Sequence, residues 1–267
     1  MTVAIGVVGC AGRMGRMAIQ EVLATEGCVL AGGTEAPGDH VGSDLGPLVG
    51  VDAIGVTIGD DPIALFSSSD AVIDFTVPAA TRIHASAAEE TGTAFVVGTT
   101  GLGPEDQTAI ESAAQNAPIV QAPNFSIGVN LLFALTKKVA AKLNPDYDIE
   151  ILEMHHRHKV DAPSGTALGI GQAAAVGRAV PLDDVARYAR EGQTGPRTTG
   201  EIGFATLRGG GVIGDHTVMF SNEAERLELT HKASSRGIFA GGAVRAALWL
   251  QGKKPGLYGM ADVLGLD

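Results

Sequence analysis

Residues 2–8, TVAIGVV, form a short apolar run rich in β-branched side chains, and it leads straight into Gly9-Cys10-Ala11-Gly12-Arg13-Met14-Gly15. No other feature narrows the choice of fold as much. A buried strand that turns within a few residues into a helix needs glycine where backbone passes close to backbone, and it leaves the first helical N–H groups pointing outward. From 14 to 25, Met14, Met17, Ala18 and Val22 recur at helical spacing, and the pattern stops before Gly27. A second run at 28–34 ends at Glu35. Further compact runs occupy 71–75, 94–97 and 119–121, with helix patterns at 79–90 and 104–116 between them. This alternation predicts an α/β fold: a Rossmann-like, doubly wound parallel sheet covered on both faces.

The second half changes style. Residues 127–143 read as a long helix, with a strand at 147–155 leaving it. Runs at 201–207, 212–222 and 226–232 follow, separated by 208–211 and 223–225. Strands joined by short turns predict antiparallel hairpins, and therefore a smaller α+β domain with a mixed or antiparallel sheet. A helix at 236–251 closes the chain and is expected to pack back on the first domain.

Composition excludes several classes. Hydrophobic residues at 45% and charged residues at 18% suit a folded domain, and a net charge of -11 argues against nucleic acid as a partner. Cys10 and Cys28 are the two cysteines, so a disulfide framework is not expected and a cytoplasmic location is. The first residues lack a leader pattern, and no run approaches the ~18 apolar residues of a spanning helix, so no membrane partner is expected.

The glycines of the first loop follow G-x-x-G-x-x-G, a spacing that lets backbone approach a pyrophosphate at a helix N-terminus. A plain strand-to-helix turn is the alternative, and the loop's place between the first strand and first helix favours the nucleotide. Glu35 lies 20 positions after Gly15, where an acid accepts hydrogen bonds from adenosine ribose hydroxyls; a solvated loop acid is the alternative. The segments Asp74-Phe75-Thr76-Val77-Pro78, Gly98-Thr99-Thr100-Gly101 and Ala122-Pro123-Asn124-Phe125 each follow an expected parallel strand. Ligands of such sheets bind beyond those strand ends, and small hydroxylated residues there suit a nicotinamide ribose and carboxamide. Each segment alone is also ordinary turn chemistry.

Met154-His155-His156-Arg157-His158-Lys159 is the densest cationic cluster in this acidic chain. A metal site fits poorly, because strand neighbours point to opposite faces and no cysteine or acid with ligand spacing accompanies them. A solvated basic strand end is a second reading. The third is an anion site with proton donors: Ser164 is a candidate N-cap, placing the N–H groups of Gly165 and Thr166 where a carboxylate would bind.

The segments G-C-A-G-R-M-G, I-D-F-T, V-G-T-T-G, A-P-N-F-S-x-G-V-N, H-H-R-H-K-V-D-A-P-S-G-T-A and T-H-K-A-S-S-R, in this order along the chain, resemble the dihydrodipicolinate reductase family. The resemblance implies reduction, with loss of water, of the cyclic dicarboxylate 4-hydroxy-tetrahydrodipicolinate to tetrahydrodipicolinate in diaminopimelate and lysine synthesis. It implies a dinucleotide-binding domain at 1–126 and 236–267, and a substrate-binding and oligomerisation domain at 127–235 in a homotetramer. His155 would be the acid/base residue and Lys159 the proton donor, with His156, Gly165 and Thr166 holding substrate carboxylates. Gly9, Cys10, Ala11, Gly12, Arg13, Met14, Glu35, Gly98, Thr99, Thr100, Ala122, Pro123, Asn124 and Phe125 would hold the cofactor.

Family members that use NADPH well often carry an arginine after the acid, where this chain has Ala36; from Met17 to Thr81 it has no lysine or arginine. NADH is therefore the expected preference, with NADPH possible. Two rivals remain. A thioester-forming semialdehyde dehydrogenase needs a cysteine in its catalytic lobe, and a non-catalytic NADH sensor has no use for the His155–Lys159 cluster.

Overall fold

A computed structural model describes residues 2–266; Met1 and Asp267, at the ends of the expected first domain, lie outside them. Two compact units emerge, one running to Ser126 and resuming at Gly237–Gly265, the other comprising Ile127–Arg236. In chain order the first unit carries β1 (Val3–Val8), α1 (Arg13–Ala24), β2 (Cys28–Thr34), α2 (Leu45–Leu48), β3 (Ile58–Gly59) and α3 (Pro62–Ser67). It continues with β4 (Ala71–Asp74), α4 (Pro78–Thr91), β5 (Ala94–Val97), α5 (Pro104–Ala113) and β6 (Pro118–Gln121). The second unit holds α6 (Ile127–Lys142), β7 (Asp148–His155), α7 (Gly165–Gly177), α8 (Leu182–Val185), β8 (Ala186–Arg187), β9 (Ile202–Arg208), β10 (Asp215–Ser221) and β11 (Arg226–Lys232). The chain then returns to the first unit with α9 (Gly237–Trp249), β12 (Gly256–Tyr258) and α10 (Met260–Leu264).

The first unit is a seven-stranded sheet in the order β12-β6-β5-β4-β1-β2-β3, with every pairing parallel. Successive residues of a strand face opposite ways, which divides the core in two. Val3, Ile5, Val7, Ala71 and Ile73 meet α1 and α9 on one face. Val8, Val72, Phe95 and Ile119 meet α3, α4 and α5 on the other. Strand order reverses at β1 and β4, the point where crossovers leave in opposite directions and open a crevice at the strand ends. Gly242 of α9 lies so close to Phe125 that a Cβ would collide with the Phe125 carbonyl. The short β3, α3, β12 and α10 carry too few residues to show a period in sequence.

The second unit stacks α6 and α7 on one face of a five-stranded sheet ordered β11-β10-β7-β9-β8. The expected hairpin between β10 and β11 is present and antiparallel. The expected one between β9 and β10 is not: β7 lies between them, antiparallel to β10 and parallel to β9. Burial is the reason. Every second side chain of β7 is buried under α6 and α7, cover that is most complete at the centre of the sheet, and the six residues 209–214 can span two strand spacings of ~4.8 Å each.

Candidate active site

In the first unit, the loops beyond β1, β4, β5 and β6 touch in sequence. Gly9 adopts φ +63, and a Cβ there would sit 2.5 Å from Thr76 Cγ2. A Cβ on Gly15 would strike the Gly9 carbonyl, and one on Gly98 the Phe75 ring. Phe75 in turn meets Phe125 edge to face at 5.7 Å. Gly12 is the extended N-cap of α1. Glu35 accepts from Ala11 N at 2.9 Å and from Ala36 N at 3.1 Å, so its carboxylate lies against the glycine loop. Arg16 Nε donates to Ala11 O at 2.8 Å. Burial, reinforced by the nearby Glu35 charge, pushes the Cys10 thiol up to about 12. A cleft of about 310 Å³ opens between Thr99–Leu102 and Gln121–Pro123, beside Gln107.

Beneath these loops lies a buried network that the sequence, which placed Asp74 and Thr76 only in a loop segment lining the crevice, did not reveal. Asp74, fully buried, accepts from Thr76 N at 2.7 Å, Thr76 Oγ1 at 2.6 Å, Thr81 Oγ1 at 2.9 Å and Thr99 Oγ1 at 3.1 Å. His84 Nδ1 stands 2.8 Å from its other side. Burial pushes the Asp74 carboxyl up, but His84 and the Thr76 hydrogen bonds outweigh it and hold it below the usual carboxylate range. The sequence signal was there: Thr81 and His84 are one turn apart on the buried face of α4.

In the second unit, β7 ends on the histidine cluster. Glu153 and His155 share a strand face, two residues apart and both buried. His155 Nδ1 lies 2.6 Å from Glu153 Oε2, and an ionised carboxylate only accepts, so Nδ1 carries the hydrogen. Arg208 grips the same carboxylate at 2.8 and 3.0 Å, and Ser164 N donates to Oε1 at 3.0 Å. Burial acts to raise the Glu153 carboxyl, yet Arg208, His155 and the Ser164 N–H hold it below its ordinary value. The acid missing from the sequence reading of this segment is therefore Glu153.

Ser164 caps α7 by accepting from Ala167 N, as the sequence suggested, which makes Gly165 and Thr166 the first two helical residues. Ser164 Oγ is also 3.1 Å from Nε2 of His216, the residue opposite Glu153 on β10. Burial and the proximity of His155 push His216 down to about 4. Lys159 Nζ reaches Asp161 at 2.8 Å, a hydrogen bond that keeps the Asp161 carboxyl low. The buried Nδ1 of His156 has no partner among the described residues, and burial with Arg236 nearby favours its neutral form. His155, His156, Lys159, Gly165 and Thr166 thus lie in the second unit, and all the expected cofactor residues in the first.

A sheet in the 3-2-1-4-5-6 order, with a glycine loop opening the first helix and an acid closing the second strand, defines a nicotinamide-nucleotide-binding class of oxidoreductase. Residues 3–125 match the family description dihydrodipicolinate reductase, N-terminus, and residues 128–264 its C-terminus. A 4-hydroxy-tetrahydrodipicolinate reductase of Dinoroseobacter shibae is 55% identical over 98% of this chain and 98% of its own length. One of Magnetococcus marinus is 53% identical, covering 99% of each chain. A dipicolinate-bound dihydrodipicolinate reductase from Paenisporosarcina sp. TG-14 superposes with a TM-score of 0.77 at 26% identity, over 98% of this chain and 99% of that one. The chain belongs to the dihydrodipicolinate reductase family.

His216 carries a pH consequence. Its value in the folded chain, about 4, is below the ordinary 6.5, so the unfolded chain binds more protons between them. Stability is complete above about pH 6.5 and falls as pH drops toward 4, by on the order of 3 kcal/mol. His216→Gln, whose amide can still pair with the Ser164 hydroxyl, should flatten the fall in thermal stability between about pH 7 and 5. Equal slopes in the two proteins would contradict the assignment.

Proposed function

We propose that this chain reduces 4-hydroxy-tetrahydrodipicolinate to tetrahydrodipicolinate, releasing water, in diaminopimelate and lysine synthesis. The observation that carries this is the near-complete alignment, at 55% identity, with a reductase named for that substrate. One NAD(P)H and one proton enter, and NAD(P)+ and water leave. The test is loss of reduced-nicotinamide absorbance when protein, NADH and the fresh condensation product of pyruvate and aspartate semialdehyde are mixed. No loss above the control lacking that product defeats the reading. A thioester mechanism lacks a nucleophile in the second unit, because both cysteines lie in the first, Cys10 buried with its thiol raised to about 12 and Cys28 raised by partial burial.

The first unit is the dinucleotide domain, and its loops fit the cofactor: the glycines leave no room for side chains where a pyrophosphate would approach. Gly9 to Met14 would hold that pyrophosphate, Glu35 the adenosine ribose, and Gly98 to Thr100 with Ala122 to Phe125 the nicotinamide end. When bound, the cofactor supplies the hydride. In the second unit His155 is the acid/base residue, and Lys159 donates the proton with which a hydroxyl leaves as water. His156 would bind a substrate carboxylate together with the α7 N-terminus at Gly165 and Thr166, which Ser164 caps. Among the described residues no helix is long and apolar enough to cross a membrane, and two free cysteines support a cytoplasmic location.

Three expectations follow from this reading. His155→Ala and Lys159→Ala should each lower turnover by at least ~100-fold while NADH affinity stays near wild type; near-normal turnover would remove that residue from the mechanism. NADH should be favoured in kcat/KM by ~10-fold, about 1.4 kcal/mol, because no cation follows Glu35, and Ala36→Arg should lower the KM for NADPH. Equal efficiency with NADPH in the wild type would overturn that. Finally, the sheet face turned away from α6 and α7 carries the half-buried Leu152, Met154 and Met219 beside the exposed Leu207, apolar surface that a homotetramer would cover. Light scattering at micromolar concentration should give four times the chain mass; a monomer there would defeat it.

A further inference from the structure

Glu153 is buried on both of its oxygens, and each oxygen holds something different. Oε2 faces His155 Nδ1 at 2.6 Å and Arg208 Nη1 at 2.8 Å. Oε1 faces Ser164 N at 3.0 Å and Arg208 Nη2 at 3.0 Å. Four donors thus converge on one carboxylate, which matches its lone-pair capacity. Arg208 is fixed in its turn, donating to the carbonyls of Leu207 at 2.7 Å and Asp161 at 2.6 Å.

The other imidazole nitrogen is treated in the opposite way. A Cβ on Gly214 would come within 3.0 Å of His155 Nε2. The φ of Gly214 lies outside the left-handed region that favours glycine, so the demand there is for space above the ring. One nitrogen is tied down and the other is kept clear.

We propose that Glu153 is a positioning residue for the reduction: it holds His155 as the Nδ1–H tautomer with Nε2 presented for proton exchange, and it ties that ring through Ser164 to the turn that starts α7. This rests on the acid/base role of His155. A carboxylate held to a histidine Nδ1–H sets tautomer and ring orientation in other acid/base sites. Here the same group also sets the backbone that delivers Gly165 and Thr166, so proton donor and anion turn are placed by one side chain.

The inference makes a tautomer prediction. In Glu153→Gln, an amide nitrogen must replace one oxygen. Placed at the Oε1 position it would face two donors, Ser164 N–H and Arg208, neither of which can become an acceptor. Placed at the Oε2 position it faces Arg208 and an imidazole nitrogen that can accept. The second arrangement strands fewer donors, so His155 should switch to Nε2–H.

The test combines steady-state kinetics with long-range 1H–15N spectra of histidine-labelled protein, at a pH where the ring is neutral. Wild type should show His155 protonated at Nδ1, and E153Q at Nε2, with kcat lowered at least ~10-fold and the KM for NADH unchanged within ~2-fold. If E153Q does not fold, E153D decides: it keeps the charge but cannot reach both His155 and Ser164, and should lose kcat likewise. Loss of turnover in H155A with an unchanged tautomer or unchanged kcat in the Glu153 variant overturns the role of Glu153 alone. Full turnover in H155A overturns the reading of His155, and the role of Glu153 with it.

Discussion

A carboxylate without access to water costs several kcal/mol unless its lone pairs are met by donors. Asp74 and Glu153 place that demand at the carboxyl ends of β4 and β7, and the organisation of each unit around its site follows from how it is answered. Around Asp74 the donors come from three pieces of chain: Thr76 from the loop beyond β4, Thr81 and His84 from α4, and Thr99 from the loop beyond β5. Thr81 Oγ1 and Thr99 Oγ1 also lie 2.8 Å apart, which closes the ring. These donors meet both oxygens of the carboxylate, so the loops lining the crevice are held by the same interaction that makes the burial tolerable.

Glu153 answers the demand differently. Arg208 meets it with a bidentate grip, the geometry in which a guanidinium matches a carboxylate best. The remaining donors are then a ring nitrogen and a backbone N–H, those of His155 and Ser164. The insertion of β7 between β9 and β10 makes this possible. Arg208, at the end of β9, stands opposite His155 in register, and His216 on β10 stands opposite Glu153. An antiparallel β9–β10 hairpin would have excluded β7 and separated all four.

What could be read in the sequence was local. The glycine loop, the acid at the end of β2 and the Ser164 cap depend on residues within one or two turns of chain, and their spacing expresses that. Glu153 is equally local, two residues before His155 on the same strand face, but its four donors include Arg208 and Ser164, which only the folded sheet brings to it. The place of β7 was illegible for a physical reason. Strand order is decided by which edges must be buried, and β9 and β10, joined by the short stretch 209–214, have the sequence look of a hairpin. The β12 strand, three residues long and paired with β6 across more than half the chain, carries no periodic signal at all.

On the proposed role of Glu35, a small change of side chain would be enough to favour one nucleotide. Its two oxygens each accept one backbone N–H, from Ala11 and Ala36. An ionised carboxylate has about four acceptor positions, so two remain. Ribose hydroxyls are donors and can fill both without disturbing the loop. A 2′-phosphate would bring acceptors and negative charge to an acceptor that is itself negative, and Arg16, the nearest lysine or arginine in sequence, has its Nε committed to the Ala11 carbonyl. Raising Glu35 out of the way would break the Ala11 N–H bond and loosen the glycine loop as well. On the proposed reading, the acid would select through two linked effects, repulsion of a 2′-phosphate and support of the loop through the Ala11 N–H, and an arginine at position 36 would oppose the first while leaving the second intact.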